Sequence, residues 1–126
     1  MNLINGKLKS RHLVTTERKT DHPGFRVSGS AYRDENQNFY TIHLRYLPGI
    51  TYYLVKNWYD VPEYLLFSRK AKTDEGKVRF YHRIGSGFQR INENVIEFHV
   101  PDLQQVLYLQ LDPIDLHFFE SSQRAA

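Results

Sequence analysis

Between positions 77 and 84 the sequence reads KVRFYHRI. Side chains on an extended strand alternate between its two faces. Lys77, Arg79, Tyr81 and Arg83 therefore share one side, and Val78, Phe80, His82 and Ile84 share the other. A sheet that holds single-stranded nucleic acid needs cations to follow phosphates and rings to stack on bases, both on the wet face. Two further segments offer part of that mixture. Phe39, His43 and Arg45 alternate with an apolar face of Tyr40, Ile42, Leu44 and Tyr46, while Lys7, Lys9 and Arg11 form a basic face without a ring. Trp58, with Tyr59, would add a stacking platform from a loop bordering that surface.

Other chemistries find less support. The six histidines, His12, His22, His43, His82, His99 and His117, show no pairing at metal-ligand spacing. The period puts His82 on the apolar side with Phe80 and Ile84, which predicts a hydrogen-bonded core histidine. Ser86 in IGSGF lacks the flanking residues of a nucleophile elbow, and no Gly-Lys-Ser/Thr follows to cradle phosphate. The two glycines predict a turn or bulge with positive φ. VPDLQQ places Pro-Asp beside a strand, as some metal-dependent nucleases do, but Val106–Leu111 carries no second carboxylate or lysine. Glu97 and His99 alternate on one face, as any solvated strand permits. No catalytic residue, metal site or cofactor is assigned.

The elements that must position the basic residues are nearly all strands. Alternation runs through about 3–15, 25–33, 38–47, 50–56, 64–69, 77–84, 95–100, 106–111 and 114–119. Nine tyrosines and eight phenylalanines suit a pleated, half-buried surface. Turn chemistry separates the runs, as at Pro48-Gly49 and in KAKTDEGK, and PDLQQ is the one short helical turn. This pattern predicts an all-β fold of about 8–9 short strands with little helix. It is either an antiparallel barrel, OB-like (of the oligonucleotide-binding type) and elaborated with extra strands, or a sandwich. Ile42, Leu44, Leu54, Leu66, Phe80, Ile96, Phe98, Leu107 and Leu109 are the expected core.

The chain of 126 residues suits one domain, 1–126. It has no cysteine, which excludes disulfides and thiolate chemistry and fits a reducing compartment. No run approaches the roughly 20 apolar residues of a membrane helix, and the N-terminus has no signal-peptide stretch, so a cytoplasmic protein with no membrane partner is expected. The net charge of +3 is unevenly spread. Residues 64–91 hold seven Lys or Arg against two acids, whereas residues 92–126 hold one Arg against six acids.

These features point to a non-enzymatic binding protein for single-stranded DNA or RNA, with the 77–83 strand as its face. The alternative is a protein-interaction module or accessory subunit. Its basic middle would meet an acidic surface, and a homodimer is the natural version.

Overall fold

The computed structural model describes residues 2–4, 7–20, 24–57 and 62–114, and for 2–4, 7, 8 and 91 the backbone alone. Nine strands follow one another: β1 (Asn2–Ile4), β2 (Lys7–Thr15), β3 (Val27–Asp34), β4 (Phe39–Leu44), β5 (Thr51–Lys56), β6 (Glu63–Lys72), β7 (Val78–Arg90), β8 (Val95–Val100) and β9 (Gln105–Gln110). Single 3-10 turns lie at Ile91–Glu93 and Pro101–Leu103, the latter within the expected PDLQQ turn. Trp58, Tyr59, His22, His117 and all but the first residue of the expected 114–119 strand lie outside the described residues.

Each strand pairs antiparallel with the next, and β2 also pairs with β9. Strands β2 to β9 thus form a closed eight-strand antiparallel barrel, with β1 added to β2 as a hairpin. Closure decides between barrel and sandwich, because it joins the two edges a sandwich would leave open. The strand order is a plain meander. The Greek-key order of an oligonucleotide-binding barrel is not used, since each strand pairs with its sequence neighbours. Among the described residues no helix is long and apolar enough to cross a membrane.

Period-two alternation fills the barrel. Ile42, Leu44, Leu54, Leu66, Ile96, Phe98, Leu107 and Leu109 are all buried as expected, joined by Val14, Ala31, Tyr52 and Val100. A fully buried aliphatic or aromatic side chain contributes about 1.5–3 kcal/mol, so this set dominates stability. Tyr46 departs from the expected face. It is 73% exposed because β4 ends at Leu44 and the chain turns before Tyr46 can point inward.

Strand β7 departs more. The expected strand end at GSG does not exist, and β7 runs unbroken from Val78 to Arg90. Gly85 and Gly87 are there for close approach, and neither adopts positive φ. A Cβ on Gly85 would sit 2.6 Å from the His99 carbonyl, and one on Gly87 would sit 3.0 Å from that of Glu97. The irregularity lies just before them. Leu66 pairs with Gly85 but Phe67 pairs with Arg83, so Ile84 is the extra residue of a bulge. His82 beside it has φ 60° and is exposed, which overturns its placement in the core.

The barrel's seam is thin. β2 and β9 pair only at Val14–Leu109 and Thr15–Tyr108. Further hydrogen bonds extend the junction: Gln110 Nε2 donates to Thr15 Oγ1 at 3.0 Å, and the Ile114 backbone amide donates to the Arg11 carbonyl at 2.7 Å. Buried His12 adds a third link, its Nδ1 lying 2.8 Å from the Gln110 carbonyl and its Nε2 2.8 Å from Ser10 Oγ. A carbonyl can only accept, so Nδ1 carries the hydrogen and Nε2 is free to accept from the serine. Burial lowers the pKa of His12 below its usual value and outweighs the opposite pull of the Gln110 carbonyl.

Candidate nucleic-acid interface

The basic 77–83 stretch belongs to a ribbon that leaves the barrel. β5 pairs with β6 only as far as Phe67, and β8 pairs with β7 only from Gly87. Beyond those points Arg69 to Lys72 and Val78 to Tyr81 have only each other as ladder partners. The hairpin closes at Thr73–Lys77, where the Gly76 amide donates to the Thr73 carbonyl at 2.9 Å and Gly76 takes φ 81°. A bulge bends its strand and strengthens the local twist. Here it lies where the ribbon departs.

The ribbon is bound to the barrel's outer surface by rings. Phe80 lies 4.9 Å from Phe39, 5.8 Å from Tyr53 and 5.7 Å from Phe67, centroid to centroid. Lys70 places its ammonium 5.5 Å above Phe39 and 5.3 Å above Tyr53. Phe80 is therefore half-buried in an external aromatic cluster and not in the barrel core. The same cluster buries Phe39 to 3% exposure, so no base can stack on it in this arrangement. Alternation put Phe39 correctly on the outer face of β4 but gave no sign that a distant hairpin would cover it.

Arg79, Tyr81 and Arg83 are all exposed, with Tyr81 at 46%, and Lys77 is exposed at the ribbon's turn. Across the ladder Tyr81 faces Arg69, which joins the set although alternation on β7 alone could not place it. Among the described residues the ion pairs are Lys9–Asp34 at 3.9 Å, Arg18–Glu93 at 3.0 Å and Arg90–Glu97 at 3.3 Å. None of them neutralises a cation of the ribbon.

His43 and Arg45 are exposed, His43 on the outer side of β4 and Arg45 in the turn beyond its end. His43 meets the ribbon in a cleft of about 340 Å3 that it lines with Lys9, Tyr32, Thr41 and Lys70. Tyr32 and Lys70 were not singled out by the spacing of basic and aromatic residues. Tyr32 lies opposite Arg11 on β2 and Thr41 on β4, and both Lys9 and Arg11 rest over its ring, at 5.7 and 5.8 Å. The signal for it was its alternation with inward Ala31.

Compared with family models, curated proteins and solved structures, the chain matches none. The candidate surface is therefore described by its own geometry alone. A second cleft, of about 390 Å3, opens where Phe88, 51% exposed, stands near Val106 and His99. Glu97 beside it accepts a hydrogen bond from Arg90 Nη2 at 3.3 Å. Among the described residues no three His, Asp or Glu gather as a metal site.

Proposed function

We propose that this barrel binds single-stranded nucleic acid, without catalysis, along the exposed side of the β6–β7 ribbon. Arg69, Arg79 and Arg83 follow phosphates and Tyr81 stacks on a base. The observation that carries this reading is a ribbon, packed on the barrel by its rings, that exposes Arg79, Tyr81 and Arg83 on β7 and Arg69 opposite Tyr81 on β6, none of these arginines neutralised by a described carboxylate. Stacking on aromatic side chains tolerates any base, and phosphate contacts give affinity without sequence preference. Both features suit a strand held in a sequence-tolerant way. The lack of cysteine fits a cytoplasmic setting.

Anisotropy titration of labelled DNA and RNA oligonucleotides at two salt concentrations tests it. Affinity should fall with salt at a log–log slope of about −0.7 per phosphate contacted. Arg79→Ala with Arg83→Ala should flatten that slope. Tyr81→Ala should remove about 1–3 kcal/mol and leave the slope nearly intact. Wild-type protein that ignores oligonucleotides at low salt would end the proposal.

A second reading has its own support. Exposed Phe88 and Val106 beside the larger cleft suit a protein contact, including one with a second copy of the chain. Sedimentation at micromolar concentration showing only the 15.0 kDa species would remove the homodimer version.

A further inference from the structure

We infer that the cleft between the ribbon and the barrel wall is a phosphate-binding subsite, in which Lys70 of β6 and Lys9 of β2 close on one phosphoryl group of a nucleotide. The inference builds on the single-strand reading for the identity of its ligand, but it uses different residues. Lys9, Thr41, His43 and Lys70 come from the ribbon and from two strands of the barrel, and all line one recess. At about 340 Å3 it lies at the small end of ligand pockets, with room for a single nucleotide.

The charges in the recess favour an anion. Two ammonium groups face one carboxylate, Asp34, and the Lys9–Asp34 separation of 3.9 Å at a part-exposed site makes a weak ion pair. Asp34 repels a phosphate from its own corner and so directs it toward Lys70, Thr41 and His43. The cations are also held in place beforehand. Lys70 rests over Phe39 and Tyr53, and Lys9 rests over Tyr32. Side chains already ordered lose less freedom when a ligand arrives. A phosphate bound there would tie the ribbon to the barrel by charge as well as by ring packing, which gives Lys70 a purpose its aromatic contacts alone do not.

The test uses a labelled oligothymidylate of roughly 15 nucleotides, about the upper site size of a single-strand-binding barrel. Lys70→Met and Lys9→Met each remove a charge and keep an apolar stem. Each should weaken binding roughly tenfold at low salt, as loss of a charged contact does, and reduce the salt slope by about 0.7. The double variant should lose little more than either single one, because both lysines serve one phosphate. Lys70→Arg should restore most of the affinity, and melting curves should show each variant folded. Comparing 5′-phosphorylated with 5′-hydroxyl strands identifies the source. A preference that disappears in Lys70→Met marks a strand end, and equal affinities mark an internal phosphodiester.

Oligonucleotide binding that is unchanged in folded Lys70→Met overturns the subsite and leaves the ribbon interface standing. Should the wild-type protein bind no oligonucleotide, the ribbon proposal falls and the cleft is judged separately with thymidine 5′-monophosphate. Amide shifts at Thr41, His43 and Lys70 would then keep it as a nucleotide site, and their absence would overturn it.

Discussion

Phe80 meets Phe39 edge to face, with centroids 4.9 Å apart and rings inclined at 68°. That contact joins the ribbon to the barrel's outer surface. It is an external clamp, and its loss should have a local effect. Phe80→Ala should lower global stability by only about 1–2 kcal/mol, in line with part burial and three aromatic contacts on a ribbon outside the barrel. Leu66→Ala, deep in the barrel, should cost about 2–5 kcal/mol. Hydrogen exchange should separate the two. In Phe80→Ala, amides of residues 68–72 should exchange fast while those of β8 and β9 stay protected.

His12 makes stability depend on pH. Its folded pKa lies below the ordinary 6.5, chiefly through burial, so the unfolded chain binds the proton more readily. Stability is then fully present above about pH 6.5 and declines as pH falls from there toward the folded value. Denaturation midpoints at pH 7.5 and 5 should show the decline, and His12→Gln should reduce it. A midpoint indifferent to pH would remove His12 from the seam.

Gly85 admits no side chain. Its Cβ would lie 2.6 Å from the His99 carbonyl, which is backbone and can move only by pushing β8 outward. Gly85→Ala should cost about 1–3 kcal/mol, as overpacking does, measured by urea denaturation. Were the glycine a turn residue instead, alanine would be harmless in the absence of positive φ.

His82 gives the opposite expectation. It is exposed at φ 60°, a conformation that glycine adopts without penalty. His82→Gly should leave stability unchanged or raise it by up to about 1 kcal/mol. A buried, hydrogen-bonded histidine would lose stability on the same change, so one melting experiment distinguishes the two placements.

These two positions also mark where the sequence was legible. Alternation assigned the barrel interior from Ile42, Leu54, Leu66, Ile96, Phe98, Leu107 and Leu109, because burial on one side of a sheet imposes a period of two. It failed at Phe80 because β5 and β8 stop pairing before that point and the ribbon lies outside the barrel, and at His82 because the backbone takes φ 60° beside the bulge at Ile84. The bulge left no mark in the sequence because Ile84 reads as one more apolar position in the alternation with Val78 and Phe80. The exposed set of Arg79, Tyr81 and Arg83 was readable within one strand. Arg69, Tyr32 and Lys70 joined it only through the ladder and the folded-back ribbon, and sequence carries no direct record of either. Phe39 shows the same limit: its face was correct, but its cover comes from another hairpin.

The two-pair seam between β2 and β9 bears on how the barrel is made. Every other strand pairing joins neighbours in sequence, so hairpins can form one after another at low contact order. Closing the ring is different, because it brings together strands from opposite ends of the described chain and loses the entropy of a long loop. Loop entropy favours closing it last, and only two ladder pairs secure it. In a chain with that seam open, β9 and the part of β2 that β1 does not cover would be free strand margins through which one copy could pair with another.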